Sequence, residues 1–265
     1  MARPLIALLT DFGTRDHYVG AMKGAALSVC PEATLVDITH DIPAHDVLAG
    51  ALALAAVYKD FPEGTIFLVV VDPGVGSGRR GIGAAADRYR FVAPDNGVLA
   101  LALKETPPDL VVELTEPRYA RPVISRTFEG RDRFAPAAGW LASGVDLSSF
   151  GPQVRTWEGL SVPEAGVRGR ALQGEVLRVD RFGNLVTNID RRAFEEFVCS
   201  GPFEITLPGT SLDRIVGTYA DALPDSPCAL FGSSGHLEIA LNGASAAARF
   251  GLKRGARITI TRGVQ

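Results

Sequence analysis

A continuous apolar run that ends in an acid and a glycine-rich loop constrains the fold of this chain most. Residues 67–71 read Phe-Leu-Val-Val-Val, which is typical of a central parallel strand covered on both faces. Asp72 follows, and in open α/β sheets ligands bind at the edge where such strands end. Pro73 and three glycines then lead to Arg79. The run predicts a parallel sheet with a candidate site at its carboxyl edge.

Asp72 and Arg79 are the candidate catalytic residues of this loop. Its glycines allow the backbone to approach a ligand closely, and Arg79 supplies a fixed positive charge near the acid. However, a strand-end Asp followed by glycines often forms only a turn, and a lone arginine is usually a solvated surface residue. The local pattern leaves both interpretations open.

Residues 1–150 alternate between strand-like and helix-like segments. This alternation predicts an α/β domain with a mostly parallel sheet and helices on both faces. We expect strands at 5–9, 33–38, 67–71, 81–85, 89–93 and 110–114, and helices at 18–28, 47–59, 98–104 and 133–142.

The composition changes near residue 150. Proline and glycine recur in residues 151–172, which we interpret as a linker. Short strands separated by turns follow, and they predict a smaller C-terminal β-barrel domain over 173–265. The expected strands are 174–179, 185–189, 203–207, 237–241 and 257–261.

Charge and hydropathy exclude several partners. The net charge of the 265 residues is -3 and the basic residues are dispersed, so nucleic acid is not expected to bind. No apolar run approaches the roughly 20 residues that span a membrane, and the N-terminal run lacks a signal-peptide pattern, so we expect a cytoplasmic protein. Three cysteines without CxxC spacing, Cys30, Cys199 and Cys228, predict buried thiols rather than disulfides or a zinc site.

Acids and histidines are concentrated at the ends of the first two predicted strands. Asp11 ends the first strand, where α/β proteins hold a ribose or a metal, although an Asp there also caps turns. Pro43 prevents the helical spacing of a metalloprotease site, and Asp46 is a natural N-cap for the next helix. A metal-dependent phosphohydrolase stays an alternative, and its ligands would be Asp11, His40, Asp41, His45 and Asp46.

Two loops of the C-terminal part carry polar groups. Asp180, Phe182 and Asn184 lie on one turn, and Ser233 lies on a serine-glycine loop. Both are typical of polar hairpin turns. They also suit ligand binding, with an acid and an amide for a cation and a nucleobase, an aromatic ring for stacking, and hydroxyls with backbone N–H groups for a carboxylate.

Six motifs, in this order, together resemble one family, the S-adenosylmethionine hydroxide adenosyltransferases, which are hydrolytic relatives of the fluorinase and chlorinase. The resemblance implies an N-terminal α/β domain, a C-terminal β-barrel and a homotrimer whose active sites lie between one subunit's first domain and a neighbour's second. It implies conversion of S-adenosylmethionine and water to adenosine and L-methionine, without metal or cofactor. The motifs are TDFG, VDPGVGSGRR, APDNG, TFEGRDRFAP, DRFGNLVTN and GSSGHLEIALN.

The resemblance implies that Asp72 and Arg79 are the first two members of an Asp, Arg and His triad. Glu129 stands at the third position. An ionised Glu donates no hydrogen bond, whereas a neutral His donates and accepts. Glu129 therefore acts as the base, pairs with an arginine, or leaves the activity weakened or altered. The halogenases lack the Asp and Arg, so the resemblance favours hydrolysis; the alternative is a catalytically impaired protein that binds S-adenosylmethionine or adenosine.

The resemblance also implies substrate contacts. Asp11 matches the acid that holds the ribose hydroxyls, and His45 stands where the fluorinase has a nucleoside-packing Trp, so its contact is left open. The remaining matches are Phe182 and Asn184 for adenine, Asp180 for the methionine ammonium group, and Ser233 for the amino-acid end.

Overall fold

The protein has two compact units. A computed structural model describes residues 3–263. Contacts divide the chain after Ser161, within the stretch 151–172 for which the sequence predicts a linker. The earlier part of that stretch packs on the first unit, where the Val154 amide donates to the Val111 carbonyl at 2.9 Å. The later part already contains a strand of the second unit, at Gly166–Arg168.

The first unit is built on a six-stranded sheet. Four adjacent strands, β2, β1, β3 and β5, run parallel, and β4 lies antiparallel between β5 and β6. This confirms the predicted mostly parallel sheet. The strands are β1 (Leu5–Thr10), β2 (Thr34–Thr39), β3 (Ile66–Val70), β4 (Gly81–Ala86), β5 (Tyr89–Pro94) and β6 (Leu110–Glu113).

Helices cover both faces of this sheet, as predicted. Successive side chains of a strand point to opposite faces, and in β1 Leu8 packs in one core with Met22, whereas Leu9 packs in another core with Leu54. Met22 belongs to one of the helices on the first face and Leu54 to one on the second. The helices are α1 (Tyr18–Val29), α2 (Val47–Ala55), α3 (Ala100–Glu105) and α4 (Ala135–Ala142).

The helices differ from the sequence prediction at their ends, by one or two residues in α1, α3 and α4 and by four in α2. Asp46 caps α2 as expected, because its Oδ1 accepts a hydrogen bond from the Ala49 amide at 3.0 Å. The predicted helix 47–59 stops at Ala55, and a 3₁₀ turn then buries Tyr58 completely. A π-helical turn, Gly130–Phe134, precedes α4, and such turns occur frequently at functional sites.

The second unit is a nearly closed antiparallel barrel, which confirms the predicted C-terminal architecture. Its strands follow the order β11-β10-β14-β8-β9-β13-β12, with β7 paired to β8. A bridge between Ile215, just beyond β11, and Ala229 of β12 brings the two edges together. The strands are β7 (Gly166–Arg168), β8 (Ala171–Val179), β9 (Leu185–Asp190), β10 (Phe203–Leu207), β11 (Thr210–Leu212), β12 (Pro227–Phe231), β13 (His236–Leu241) and β14 (Arg257–Arg262).

The sequence prediction missed several short elements of this unit. They are β7, β11, β12 and two helices, α5 (Arg191–Val198) and α6 (Ala246–Phe250). A readable signal existed for α5, because Asp190 is an N-cap whose Oδ1 accepts a hydrogen bond from the Ala193 amide at 2.7 Å.

The cysteines are unpaired, but they are not all buried. Cys30 and Cys228 are buried as predicted, whereas Cys199 is exposed, so that prediction was wrong for Cys199. Cys199 follows the last residue of α5 with a left-handed φ of 52°. Across residues 3–263, no helix is long and apolar enough to cross a membrane.

Candidate active site

Three charged side chains, two from the loop between β3 and β4 and one from a later segment, meet at the carboxyl edge of the first sheet. Asp72 lies two residues beyond the end of β3, and Arg79 precedes β4. Glu129 is the residue immediately before the π-helical turn. Their side chains are only 5%, 9% and 11% exposed, respectively. The sheet edge at which ligands bind in open α/β folds therefore carries a buried cluster of charge.

The Arg79 guanidinium is held between two carboxylates. Its Nε lies 2.9 Å from Oδ1 and 3.1 Å from Oδ2 of Asp72, and its Nη2 donates to Asp72 as well. Its Nη1 donates to Oε2 of Glu129 at 3.1 Å. Burial alone would lower the pKa of Arg79, but the hydrogen bond and charge of Asp72, with those of Glu129, raise the pKa above its usual value. Arg79 is a fixed cation.

Glu129 pairs with arginine in this structure, which was one of the three interpretations left open by the sequence. Besides Arg79, its Oε2 lies 3.5 Å from Nε of Arg133. The Arg79 guanidinium also lies over the Phe134 ring, 5.2 Å from its centroid. Sequence reasoning missed Arg133 and Phe134, although Arg133 stands four residues after Glu129 within one motif.

The glycine-rich loop is held in place by a close backbone approach. Gly76 has φ of 74°, and a Cβ at this position would lie 2.2 Å from the Arg126 carbonyl oxygen. The Arg126 Nη2 donates back to the Gly76 carbonyl at 3.0 Å. Any side chain at residue 76 would displace one of the two segments, so this glycine maintains the loop that carries Arg79.

The end of β3 is fixed by the APDNG turn. Asn96 donates through Nδ2 to the carbonyl of Val71 at 2.8 Å, and its Oδ1 accepts from the Val98 amide at 3.2 Å. Val71 immediately precedes Asp72. The sequence identified these residues only as a turn, whereas the structure shows that Asn96 supports the strand end from which Asp72 projects.

A cavity of about 340 Å³ opens beside Asp72 and Glu129. Three aromatic rings line it, and the Phe128 ring lies edge-on to those of Phe12 and Tyr18, with centroid distances of 5.9 and 5.2 Å. Cavities of this size with apolar walls and a few charged groups are typical of small-molecule sites.

Asp11 and His45 are also neighbours, because Oδ2 of Asp11 accepts a hydrogen bond from the His45 backbone amide at 2.8 Å. The other residues of the metal alternative do not gather around this pair. His40 contacts Thr10 instead, and Asp46 caps α2. Within residues 3–263, no three His, Cys, Asp or Glu side chains are arranged to hold a metal ion.

In the second unit, Asp180, Phe182 and Asn184 form one turn between β8 and β9. Oδ1 of Asp180 accepts from the amides of Phe182 and Asn184 at 2.9 and 2.8 Å, and its Oδ2 accepts from Asn184 Nδ2 at 2.9 Å. This is an Asx-type turn. It leaves Phe182 76% exposed, while Asn184 is buried.

Ser233 lies apart from this turn. The ladder between β9 and β13 pairs Leu185 with Ile239 and Asp190 with His236. The turn before Leu185 and the serine-glycine loop before His236 therefore lie toward opposite ends of β9. The sequence could not show this separation, since it depends on strand pairing.

Sequence reasoning missed a buried acid on β13, the strand that pairs with β9. Glu238 of β13 is buried, and its Oε2 accepts a hydrogen bond from the Tyr219 hydroxyl at 2.8 Å. Burial, the Glu238 contact and the charge of Asp180 raise the pKa of Tyr219 to about 12. Tyr219 therefore stays a neutral donor at physiological pH.

Both units match models of a single family. The SAM hydroxide adenosyltransferase N-terminal domain matches residues 6–151, and the corresponding C-terminal domain matches residues 174–259. The chain belongs to the SAM hydroxide adenosyltransferase family. The resemblance seen in the sequence motifs is confirmed.

Several known proteins are similar to this chain over nearly their full length. An (R)-S-adenosyl-L-methionine hydrolase of Thermus thermophilus is 37% identical over 94% of this chain and 96% of its own. A fluorinase of an Actinoplanes species is 30% identical over 98% of each chain. The crystal structure of an uncharacterized conserved protein from Thermotoga maritima superposes with a TM-score of 0.91 at 33% identity, covering 97% of this chain and all of that one.

The buried charge cluster predicts strong energetic coupling between Asp72 and Arg79. In a double-mutant cycle of Asp72→Ala and Arg79→Met, we expect the double variant to lose about 1–3 kcal/mol less unfolding free energy than the sum of the single variants. The reason is that removing one partner leaves the other charge buried and less compensated. Urea unfolding measures the cycle.

The matched control is the pair Lys59–Glu105, whose side chains are 51% and 48% exposed. Its coupling is expected to stay below about 1 kcal/mol, because water and salt screen exposed pairs. Equal coupling energies for the two pairs would contradict the importance of burial at Asp72 and Arg79.

Proposed function

We propose that this protein hydrolyses S-adenosyl-L-methionine to adenosine and L-methionine. The oxygen of a water molecule bonds to the ribose C5′ while the bond from C5′ to the sulfonium sulfur breaks. The electron pair of that bond stays on sulfur, which becomes the thioether of methionine, and the water loses one proton. Membership of the family and the hydrolase names of relatives support this reaction.

The observation that carries the proposal is the buried pair of Asp72 and Arg79 beside the cavity. Water is a weak nucleophile because its pKa is about 15.7. Asp72 orients it and accepts its proton through Oδ1, since this oxygen accepts only one bond from Arg79 and keeps accepting capacity. The Arg79 cation stabilises the developing hydroxide electrostatically in a site shielded from bulk water.

In this arrangement, Glu129 functions differently from the histidine that the family pattern has at its position. Its Oε2 accepts from Arg79 and lies close to Arg133. We infer that Glu129 orients the Arg79 guanidinium and balances the second arginine, rather than donating a hydrogen bond to the nucleophile. No metal or cofactor is part of the proposed reaction.

The substrate contacts implied by the family resemblance complete the proposal. Asp11 holds the ribose hydroxyls, and the contact of His45, whose backbone amide donates to Asp11, stays open. In the second unit, the adenine contacts are Phe182 and Asn184, and Asp180 takes the ammonium group. Ser233 lies toward the other end of β9, so its contact with the amino-acid end stays a prediction from the sequence.

Chelator-treated protein is expected to release adenosine and methionine from S-adenosylmethionine in equal amounts. In water enriched in oxygen-18, the label should appear in the 5′-hydroxyl of adenosine, as mass spectrometry would show. Both sulfonium epimers are assayed, and we expect the R epimer named for the relatives to react. Asp72→Ala should lower the rate by about 10²- to 10⁴-fold, the usual contribution of general acid–base catalysis.

The control for Asp72→Ala is Asp60→Ala, which removes an exposed carboxylate from the 3₁₀ turn before β3. This variant should keep the parental rate. Tight binding of S-adenosylmethionine without release of products would instead favour the impaired binding protein. Activity that disappears with the chelator and returns with a divalent ion would contradict a metal-free reaction.

Glu129→His is expected to lower the rate about tenfold, although it restores the residue type of the family pattern. The imidazole would leave Arg79 with Asp72 alone and would leave the charge of Arg133 uncompensated. Glu129→Gln, which keeps the acceptor oxygen and removes the charge, should fall between the parent and Glu129→His. Steady-state rates measure the series, and a faster Glu129→His variant would show that Glu129 impairs catalysis.

We propose further that the protein is a homotrimer, as the family resemblance implies. Sedimentation equilibrium of the purified protein should give about three times the 28.1 kDa mass of one chain; a mass of one chain would contradict the trimer and the active sites shared between subunits. The cytoplasmic location and the absence of a nucleic-acid partner stay predictions from the sequence.

A further inference from the structure

The proposed reaction leaves one buried histidine without a role. His40 follows β2 and is only 5% exposed. Its Nδ1 lies 2.8 Å from Oγ1 of Thr10, the last residue of β1, which is completely buried. A buried polar contact of this kind stabilises one arrangement of the two chain segments that it joins.

Asp37 determines which nitrogen of His40 carries the proton. Oδ1 of Asp37 lies 3.0 Å from Nε2, although the N–H direction is poorly aligned with it, so the contact is mainly electrostatic. Burial alone would raise the pKa of Asp37, but hydrogen bonding with Lys23 at 2.7 Å and the contact with His40 lower it. An ionised carboxylate beside Nε2 favours the tautomer with the proton on Nε2 and a lone pair on Nδ1.

This tautomer gives every hydrogen bond in the cluster a direction. Thr10 donates its hydroxyl proton to Nδ1, and its oxygen accepts from the Phe12 amide at 3.3 Å. The His40 backbone carbonyl accepts from the Gly13 amide at 2.7 Å. Thr10 and Gly13, which lie on either side of Asp11 in the chain, are therefore both hydrogen-bonded to His40.

The cluster of Asp37, His40 and Thr10 has the residue types of a nucleophilic triad, but its burial excludes that role. The Thr10 side chain belongs to the sheet interior, so a substrate carbon cannot reach its hydroxyl. The cluster acts instead through the backbone of the TDFG turn, where Asp11 is also attached to the His45 amide at 2.8 Å.

We propose that His40 is a positioning residue for Asp11, and that the hydrogen bond between His40 and Thr10, whose direction is set by the charge of Asp37, determines how well Asp11 binds ribose hydroxyls. This inference rests on the proposed role of Asp11 in the reaction above. Through Asp11, this contact between His40 and Thr10 confers selectivity for a ribose with free 2′- and 3′-hydroxyls. His40 and Thr10 touch neither the substrate nor the reacting atoms.

The test compares binding of adenosine and 2′,3′-dideoxyadenosine by calorimetry, together with release of adenosine from S-adenosylmethionine. Thr10→Val removes the hydroxyl and keeps the shape of the side chain. His40→Asn keeps an amide near the position of Nδ1, whereas His40→Gln places it near the position of Nε2. Asp11→Ala provides the reference for lost selectivity.

Thr65→Val is the matched control. Thr65 is also a buried threonine of the first unit, and its hydroxyl donates to the Pro62 carbonyl at 2.6 Å, but it precedes β3 at the opposite edge of the sheet. It reproduces the loss of a buried hydroxyl without affecting Asp11.

We expect Thr10→Val and His40→Gln to weaken adenosine binding about tenfold while leaving dideoxyadenosine binding within about threefold, because misplacing Asp11 loses hydrogen bonds to a charged group. His40→Asn and Thr65→Val should keep the parental ratio of dissociation constants within about threefold. An unchanged ratio of dissociation constants in Thr10→Val would overturn the inference, whether both nucleosides bind more weakly by the same factor or neither does. An unchanged ratio in Asp11→Ala would overturn it as well.

The two readouts separate this inference from the proposed function. Release of adenosine by the parent with an unchanged ratio in Thr10→Val would retain the hydrolase and reject the role of His40. A selective loss of ribose binding in the variants, without release by the parent, would support the role of His40 and reject hydrolysis.

Discussion

Burial of the Arg79 guanidinium is the constraint on which the first unit's candidate site depends. A charge that is 9% exposed is tolerated only when it is fully paired, and the pairing here requires Asp72 on one side and Glu129 on the other. Asp72 and Arg79 lie at the two ends of one loop, whereas Glu129 lies 50 residues after Arg79. The loop, the strand end and the start of the π-helical turn must therefore all be held at fixed positions, and hydrogen bonds from Asn96 and Arg126 contribute to this.

The same requirement explains features that are otherwise unconnected. Gly76 allows the loop to touch the Arg126 backbone, and Asn96 holds the strand end before Asp72. Independently of Arg79, His40 is hydrogen-bonded to Thr10 and Gly13 of the neighbouring TDFG turn. The chemistry proposed for this protein therefore relies on a rigid backbone at the carboxyl edge of the sheet. A mobile backbone would not hold the catalytic side chains in the geometry that the reaction needs.

Glu129 shows how far a motif can be interpreted without a structure. The motif pattern placed an acid where the family has a histidine, and the residue types alone left three interpretations. The 3.1 Å contact with Arg79 and the nearby Arg133 favour an electrostatic role. Likewise, the acids and histidines of residues 39–46 suggested metal ligands, but packing directs His40 toward Thr10 and Asp46 toward the α2 amides, so proximity in sequence did not produce a shared site.

The sequence by itself determined the alternation of strands and helices, the parallel sheet and the barrel-like second unit, because hydrophobic periodicity and turn residues are local properties of the chain. The family was indicated separately, by the resemblance of six motifs. The sequence also identified Asp72 and Arg79 as a pair. Only the tertiary structure decided the partners of Glu129, the separation of Ser233 from Asp180 along β9, and the exposure of Cys199. Those features depend on strand order, register and helix ends, which are set by packing between residues far apart in the chain.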